Sequence, residues 1–361
     1  MKYLFLTNIP SPYRVDFFNE LGKLCDVTVA FETGASKERD ASWKRYDIKR
    51  FKPVFLNGIK YGVAEAFCPN VIGFLRKNHF DRIILCDFTG FTGMLAILWL
   101  RLKKIPYWLE SDGGFAKDGK GFKEIIKRFF IKGAQGYFST AREHDRYYMQ
   151  YGAQPYRIWR YPFTSVYRKD ILDAPVPLEQ KMQLRKALGI SEKRVVVAVG
   201  QFIPRKGFDV LINAMALLPR DIGCYIIGGN PTEEYLWQVA ELALDNVHFV
   251  GFKTKDELAH YYMAGDLFVH PTREDIWGLV VNEAMAKGLP VITTDRCIAG
   301  LELIKEPEQG CIVPAGEVQD LAQAIETQLE QITADKSRQV LKNISNHCFE
   351  EMAKRHIEVL N

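Results

Sequence analysis

The sequence of 361 residues lacks the features that mark several protein classes. Its seven cysteines are scattered without a CxxC pair, which argues against a disulfide framework or zinc site and favours reduced thiols. Its longest apolar run, Met94 to Leu100, is about a third of what a membrane-spanning helix needs. The histidines form no cluster with ligand spacing, so we expect no metal site. Residues 1–8 hold one basic residue and too short an apolar run for a signal peptide.

What the composition does contain is an uneven distribution of charge. The 48 Lys and Arg and 44 Asp and Glu residues give the whole chain a net charge of +4. Residues 1–170 hold 29 basic and 17 acidic residues, a net of +12, whereas the remainder carries −8. The apolar content of 47% is typical of a soluble globular protein, and the length indicates two domains. A basic half is therefore joined to an acidic half.

Both halves begin with a buried strand, a loop and an amphipathic helix. The first half does so over residues 3–21 and the second over residues 195–214. Continuous apolar and β-branched runs predict strands buried on both faces, and their alternation with helices predicts a parallel sheet. A further helix is predicted at 92–103. Further strands are predicted at 82–86, 106–109, 224–227, 247–250, 267–270 and 290–293.

These elements predict an α/β protein with two doubly wound, Rossmann-like domains that face each other across a cleft. The hinge is expected in residues 161–178, which contain three prolines and little periodicity. Ligands of such sheets bind beyond the carboxyl ends of the strands. Neither half has GxGxxG after its first strand, which argues against a dinucleotide-dependent dehydrogenase.

The most informative segment runs from His270 to Ile292. A strand is predicted to end at Pro271, and an acidic loop then leads into a helix. Free N–H groups at the helix entrance, residues 275–279, favour an anion such as phosphate. Glu283, two turns further on, lies among apolar residues and is a candidate for binding the vicinal hydroxyls of a sugar. A capped helix with two solvated acids explains the same spacing.

The motif Asp275-x7-Glu283, followed by Gly-Leu-Pro-Val-Ile at 288–292, resembles the signature of the retaining glycosyltransferases of family 4, which have the GT-B fold. The family usually has Glu at the first position, and Asp is one methylene shorter. The resemblance covers most of residues 195–330. It implies an N-terminal acceptor-binding domain over 1–163 and a C-terminal donor-binding domain over 164–344. We also expect a C-terminal helix, at about 345–361, to pack back onto the N-terminal domain.

The loop from Gly200 to Gly207 resembles the family's second donor element, with Gln201 in place of the usual arginine. The resemblance implies that Lys206 stabilises the departing diphosphate without a metal and that Arg205 supplies the missing charge. It further implies that Asp275 binds the hydroxyls of the transferred sugar and Glu283 those of the ribose. The other implied donor-binding residues are Gly200, Gln201, Ile276, Trp277, Gly278 and Leu279 near the phosphates, and Gly228, Gly229, Asn230, Val250, Gly251 and Phe252 around the base.

The N-terminal half resembles the family less specifically. Residues 10–14 stand where many relatives have a glycine-rich loop that touches donor and acceptor. Residues 110–114, Glu-Ser-Asp-Gly-Gly, follow a strand where many relatives carry a histidine, and both segments look like those of bacterial enzymes that build capsule, exopolysaccharide or O-antigen units. An ordinary turn at 112–114 is the alternative. No histidine stands here in this sequence, so Glu110 and Asp112 are the candidates for orienting the acceptor hydroxyl or acting as base. The candidate acceptor contacts are Ser11, Tyr13, Arg14, Asp112 and Gly113.

The segment Phe122 to Lys132 has the pattern of a basic amphipathic helix. Such a helix is typical of proteins that lie at an anionic membrane surface. A helix packed on its own sheet with a solvated basic rim explains the pattern equally well. No stacking or groove-reading module is present, so nucleic acid is not an expected partner. The expected location is cytoplasmic, with peripheral attachment to the inner face of the plasma membrane.

The sequence thus predicts a retaining, metal-independent glycosyltransferase in cell-envelope polysaccharide synthesis. It would move a sugar from a nucleotide sugar, most naturally a UDP-sugar, to a hydroxyl of a lipid-linked saccharide or polysaccharide precursor. The nucleotide sugar is a co-substrate, and no cofactor is expected. Two alternatives stay open: a GT-B nucleotide-sugar 2-epimerase and a non-catalytic nucleotide-sugar-binding protein. The acidic motif together with Arg205 and Lys206 favours transfer.

Overall fold

The computed structural model describes residues 1–34, 47–61, 64–117, 119 and 121–361. The chain divides into two compact units. Unit 1 comprises Met1–Thr164 together with Cys348–Asn361, and unit 2 comprises Ser165–His347. Each unit has its own sheet and its own hydrophobic core, and each is described by itself.

The described residues of unit 1 form a sheet and a hairpin. The strands are β1 (Lys2–Thr7), β2 (Asp26–Phe31), β3 (Lys52–Phe55), β4 (Ile59–Tyr61), β5 (Glu65–Phe67), β6 (Arg82–Leu85), β7 (Trp108–Glu110), β8 (Gly136–Ser139) and β9 (Ile158–Arg160). Among these residues the sheet has seven parallel strands in the order β3-β2-β1-β6-β7-β8-β9. Strands β4 and β5 pair antiparallel as a separate hairpin.

Unit 2, all of whose residues are described, has a parallel six-stranded sheet. Its strands are β10 (Arg194–Val199), β11 (Ile222–Ile227), β12 (Val247–Val250), β13 (Leu267–His270), β14 (Val291–Thr294) and β15 (Gly310–Val313). They are ordered β12-β11-β10-β13-β14-β15. The direction in which strands are added to the sheet reverses beside β10 in this unit and beside β1 in unit 1. Such reversal points are where doubly wound sheets bind ligands.

Helices connect the strands in both units. In chain order they are α1 (Pro12–Leu21), α2 (Val71–Lys77), α3 (Phe91–Leu102), α4 (Phe122–Ile131), α5 (Arg142–Gln150), α6 (Leu178–Leu188), α7 (Phe208–Met215), α8 (Glu233–Glu241), α9 (Lys255–Ala264), α10 (Leu279–Met285), α11 (Ile298–Leu303), α12 (Val318–Glu330), α13 (Ala334–Ile344) and α14 (Phe349–Leu360). Within the described part of the chain, no helix has both the length and the apolar character needed to cross a bilayer.

The predicted α/β fold class is confirmed, and its physical basis is the burial of the strands. The strand β10 contains the run Val195–Val199, whose side chains are all buried. The strand β1 is likewise buried from Tyr3 onward. Parallel strands covered by helices on both faces need such continuous apolar runs. The alternation of predicted strands and helices along the sequence was therefore enough to predict the fold class.

The last helix, α14, belongs to unit 1. The His356 ring in α14 stacks on Phe138 with ring centroids 4.3 Å apart. The Asn361 side chain accepts a hydrogen bond from the Tyr3 hydroxyl at 2.7 Å. Because the buried side chains of α14 pack against strands near the start of the chain, both ends of the chain stabilise the same core.

Candidate functional site

In unit 2, the loops that follow β10 and β13 are packed directly against each other. Gly207 ends a short 3₁₀ turn with φ +70°, and a Cβ there would lie 2.0 Å from the carbonyl oxygen of Pro271. Only glycine fits this contact. The Arg273 backbone N–H also donates to the Arg205 carbonyl at 2.8 Å. These contacts hold the predicted donor loop beside the predicted acidic loop.

This packing brings Lys206, Arg205 and Asp275 together. The Lys206 Nζ lies 2.5 Å from Asp275 Oδ2, and both side chains are largely buried. The Arg205 guanidinium is half exposed, 3.7 Å from the other oxygen of Asp275. Two cations and one carboxylate therefore converge beyond the carboxyl ends of neighbouring strands. A phosphate group arriving there would meet fixed positive charge, which stabilises an anion without reorganisation.

The fully buried His270 holds the Asp275 carboxylate from the other side. Its Nε2 lies 3.1 Å from Asp275 Oδ2. Burial lowers the pKa of His270, so the ring is neutral and Nε2–H is the donor. Burial alone would raise the pKa of Asp275, but His270 and Lys206 outweigh it and lower that pKa. Asp275 is therefore a fixed, ionised hydrogen-bond acceptor.

Glu283 in α10 has two hydroxyl partners. The Ser165 Oγ donates to Oε1 at 2.9 Å, and the Tyr262 hydroxyl donates to Oε2 at 3.3 Å. Burial raises the pKa of Glu283, and the hydrogen bond from Ser165 opposes that rise. Glu283 is partly exposed, and these two hydrogen bonds fix the orientation of its side chain. A carboxylate that binds vicinal hydroxyls needs both properties.

The residues expected around the base lie at the carboxyl ends of β11 and β12, beside the loop that follows β10. A Cβ on Gly228 would lie 1.8 Å from the Gly200 carbonyl oxygen, so the two loops touch through backbone. The Gly228 N–H donates to the Val250 carbonyl at 3.2 Å. This side of the unit leaves four expected donor residues at the surface: Gln201, Asn230, Gly251 and Phe252. Gly229 is half-buried between them.

The helix entrance at 276–279 is short. The helix α10 has seven residues and begins at Leu279, after Gly278 with φ +103°. Trp277 is buried, its Nε1–H donates to Asn282 at 2.7 Å, and its carbonyl accepts a hydrogen bond from the Ala299 N–H at 2.9 Å. Ile276 is exposed. Because this helix has only seven residues, the cations carry most of the expected attraction for phosphate.

In unit 1, the residues expected to bind the acceptor form a connected network. The buried Arg14 guanidinium pairs with Glu110 through one nitrogen and with Asp112 Oδ1 at 2.6 Å through another. The Tyr13 hydroxyl donates to the second oxygen of Asp112. Asp112 is 29% exposed, whereas Glu110 is completely buried. Asp112 is thus the one carboxylate of this pair that a ligand can reach.

Glu110 has the environment of a structural anion. Its Oε2 lies 3.4 Å from His356 Nε2 in α14, and its Oε1 accepts a hydrogen bond from the Tyr161 hydroxyl at 3.2 Å. Burial alone would raise the pKa of Glu110, but Arg14 and His356 outweigh it and lower that pKa to about 2. Glu110 therefore fixes Arg14, which in turn orients Asp112.

The remaining expected acceptor residues differ in access. Ser11 is buried, and its carbonyl accepts the first backbone hydrogen bonds of α1. Gly113 follows Asp112 with φ +149° and is partly exposed. In the described ranges no group of three or more His, Cys, Asp or Glu residues is arranged to hold a metal ion.

Sequence reasoning did not identify several residues that support these sites. Ser165 and Tyr262 orient Glu283, and His356 contacts Glu110, although each is distant from its partner in the sequence. His270 carried a usable signal, because it ends a predicted strand five residues before Asp275. No pattern in the sequence pointed to Ser165, because its segment has little periodicity.

Comparison with known proteins agrees with the division into two units. Residues 180–346 match the family model described as glycosyl transferases group 1. A lipopolysaccharide core biosynthesis glycosyltransferase of Rhizobium meliloti is 33% identical over 145 residues, 40% of each chain. An amylovoran biosynthesis glycosyltransferase of Erwinia amylovora is 34% identical over 171 residues, 44% of this chain and 41% of that one. The chain thus matches about two fifths of the length of these relatives.

The similarity of folds extends over the whole chain. The crystal structure of HepE from Anabaena, in complex with UDP, superimposes with a TM-score of 0.80 at 18% identity, covering 100% of this chain and 99% of that one. At this identity the likeness establishes the fold alone. With the parallel sheets of both units, it identifies the fold as GT-B. Residues 180–346 therefore match the model of glycosyl transferases group 1, and the fold of the chain is GT-B.

Proposed function

We propose that the chain is a retaining, metal-independent glycosyltransferase of family 4 that acts in cell-envelope polysaccharide synthesis. One observation carries the proposal: Lys206, Arg205 and Asp275 converge beyond β10 and β13, with Lys206 Nζ 2.5 Å from Asp275 Oδ2. This is the charge pattern that a leaving nucleoside diphosphate needs. Glu283 adds an oriented carboxylate for the ribose hydroxyls.

In this proposal unit 2 binds a UDP-sugar. Lys206 and Arg205 bind the diphosphate, and Asp275 accepts hydrogen bonds from the hydroxyls of the transferred sugar. The segments 228–230 and 250–252 surround the base. The Anabaena protein of similar fold was solved with UDP, which supports UDP as the nucleotide.

The proposed acceptor is a lipid-linked saccharide bound by unit 1. Asp112 touches the acceptor hydroxyl, and Arg14 and Glu110 position Asp112. The bond between the sugar C1 and the diphosphate oxygen breaks, and a bond from C1 to the acceptor oxygen forms on the same face. The acceptor proton passes to the departing diphosphate. The two relatives named for lipopolysaccharide and amylovoran synthesis support an acceptor of this class.

We also propose that α4 attaches the enzyme peripherally to the cytoplasmic face of the plasma membrane. Phe122 and Ile125 are 75% and 66% exposed, and Phe129 is also exposed. Lys123 and Arg128 are exposed on the same helix. Exposed apolar side chains beside basic ones complement an anionic bilayer, where the substrate lipid would be held.

The test is acceptor-dependent release of UDP. The full chain is incubated with UDP-sugars, with and without lipid-linked acceptors extracted from bacterial membranes, in the presence of EDTA. We expect UDP release only with acceptor. Lys206→Ala should lower the rate by at least about a hundredfold, because it removes a fixed cation from the leaving group. Lys186→Ala, at an exposed lysine of the same unit, is the matched control and should leave the rate unchanged.

Other outcomes would contradict the proposal in distinguishable ways. Interconversion of the sugar nucleotide without UDP release would indicate a 2-epimerase. Thermal stabilisation by UDP without turnover of any UDP-sugar would indicate a non-catalytic binding protein. Undiminished activity of Lys206→Ala would remove the assigned diphosphate site.

A further inference from the structure

A group of aromatic side chains in unit 1 lies outside the network of Asp112. Tyr61 is in β4, Phe67 ends β5, and Phe91 begins α3. The ring centroids of Tyr61 and Phe91 are 5.0 Å apart, and those of Phe67 and Phe91 are 6.4 Å apart. Phe91 is 59% exposed. Neighbouring aromatic rings that stay accessible to solvent are typical of a surface that binds a ligand.

Polar groups border these rings. The Asp87 Oδ1 accepts a hydrogen bond from the Gly90 N–H at 3.0 Å, and the Tyr61 hydroxyl accepts one from the Phe91 N–H at 2.9 Å. A Cβ on Gly90 would lie 2.8 Å from Asp87 Oδ2 and 3.1 Å from the Tyr61 hydroxyl oxygen. Gly90 therefore allows a carboxylate oxygen and a phenol to meet beside the rings. Asp87 is partly exposed.

Hydrogen bonds to buried residues hold the hairpin that contains Tyr61 and Phe67 on the rest of the unit. The Thr92 hydroxyl donates to the Ala66 carbonyl at 2.6 Å. Glu32, at 1% exposure, accepts a hydrogen bond from the Ala66 N–H at 2.9 Å through Oε2. Its Oε1 is buried and, among the described residues, has no hydrogen-bond partner. A buried polar atom in this state is satisfied when a hydroxyl group or water reaches it.

Several carboxyl groups lie close together at this cluster. Burial raises the pKa of Glu32 to about 8, and Asp87 and Glu65 act in the same direction. Burial also raises the pKa of Asp87. Glu32 is therefore uncharged near neutral pH, and the partly exposed Asp87 is the carboxyl group that disfavours an anionic ligand and accepts hydroxyl donors.

The cluster is close to the proposed acceptor site in the topology of the sheet. Strands β6 and β7 are parallel neighbours, with Leu85 opposite Leu109. Asp87 and Asp112 each lie two residues beyond the end of their strands, so both lie beyond the same sheet edge. Neighbouring strands are about 4.8 Å apart, a separation on the scale of one sugar ring.

We propose that Tyr61, Phe67, Phe91 and Asp87 form a subsite for an uncharged sugar ring of the acceptor, next to the sugar whose hydroxyl reaches Asp112. This rests on the proposed function of the chain. A pyranose has an apolar face of C–H groups, which packs on aromatic rings, and a rim of hydroxyls, which donate to carboxylates. The acceptor is then a saccharide of at least two sugars, neutral at the unit beside the reacting one.

The experiment uses neutral disaccharides as probes. Maltose, cellobiose and lactose are added separately to the full chain, and binding is measured by saturation-transfer NMR and titration. At least one should bind, and cellobiouronic acid, which carries a carboxylate, should bind at least about fivefold more weakly. Phe91→Ala should lower the affinity for that disaccharide about tenfold, because one aromatic packing partner is lost.

Matched variants make the result specific. Phe91→Tyr keeps the ring and should bind as the wild type does. Phe122→Ala removes a more exposed ring, on α4, and should also have no effect. Absence of binding by all three neutral disaccharides, or equal binding by Phe91→Ala and the wild type, would overturn the subsite.

A second measurement on the same samples separates this inference from the proposed function. UDP should raise the melting temperature through unit 2 whether or not the subsite exists. Stabilisation by UDP without disaccharide binding overturns the subsite and leaves the donor site standing. Disaccharide binding without stabilisation by UDP supports the subsite and counts against glycosyl transfer from a UDP-sugar.

Discussion

The side chain of Asp275 shows how one shortened residue can keep a fixed position. The signature that residues 275–283 resemble usually has Glu at this point, and Asp reaches one methylene less far. Here the shorter carboxylate is held between Lys206 Nζ at 2.5 Å and His270 Nε2 at 3.1 Å. Because His270 is completely buried, the hydrogen bond that it donates is protected from competition by water.

Replacing His270 tests its role as a positioning residue. His270→Phe keeps the aromatic ring beside Phe268 but removes the donor to Asp275, so kcat should fall about ten- to a hundredfold. Affinity for UDP, measured by calorimetric titration, should stay unchanged because the cations remain. His270→Gln retains an N–H donor and should recover most of the rate. An equal loss in both variants would refute the hydrogen bond as the cause.

At the scale of single elements, α4 packs on its own unit and also presents apolar side chains to solvent. Ile126 and Phe130 are partly buried, and Phe130 packs against the core of unit 1. Phe122 and Ile125 stay exposed, and Lys127 lies 3.2 Å from Glu124. The amphipathic pattern thus describes a helix that packs on its own unit and still presents apolar side chains to solvent.

The exposed side chains of α4 predict binding to anionic vesicles. The double variant Phe122→Ser/Ile125→Ser should weaken co-sedimentation with phosphatidylglycerol vesicles, by about tenfold per side chain, since each loses burial in the bilayer. Lys123→Glu/Arg128→Glu should weaken it further at low salt. Leu217→Ser, at an exposed leucine of unit 2, is the control. Equal binding by the wild type and both double variants would rule out α4 as the attachment surface.

At the scale of the whole molecule, the two units have separate cores and separate electrostatic centres. In unit 1 the buried centre is the pair of Arg14 and Glu110, with His356 of α14 beside it. In unit 2 the centre is the cluster around Asp275. Changes at one centre should therefore affect the stability of its own unit, which peptide-resolved hydrogen exchange can measure.

Glu110→Gln should destabilise unit 1 by about 3 kcal/mol, because it leaves the buried Arg14 without its main anionic partner. Exchange should accelerate in unit 1, while UDP still slows exchange in unit 2. Glu143→Gln breaks an exposed ion pair with Arg146 and should cost less than about 1 kcal/mol. Equal effects of the two variants would contradict the assignment of Glu110 as a buried structural anion.

The same variant gives a prediction for pH. The pKa of Glu110 is about 2 in the folded protein, below its ordinary value of 4.5. Ionised Glu110 therefore stabilises unit 1 above about pH 4.5, and this contribution is lost as the pH falls toward 2. The difference in stability between the wild type and Glu110→Gln should narrow over that interval.

Strong apolar runs made much of the fold predictable from the sequence. The strands β6, β11, β12 and β13 were predicted to within two residues at each end. The strand β8, with the sequence Gly-Tyr-Phe-Ser, was not, because it has four residues and no β-branched run. Short strands at sheet edges, such as β9, depend on pairing with a neighbour more than on local pattern.

The sequence by itself determined the α/β fold class and the segments that carry the candidate donor site. Periodicity fixes strands and helices locally, and the acidic motif with Arg205 and Lys206 lies in contiguous stretches. Only the tertiary structure decided which carboxylates a ligand can reach. Glu110 and Asp112 are two residues apart, yet one is completely buried and the other 29% exposed. The aromatic cluster of Tyr61 and Phe91 likewise depends on contacts across 30 residues, which no local pattern encodes.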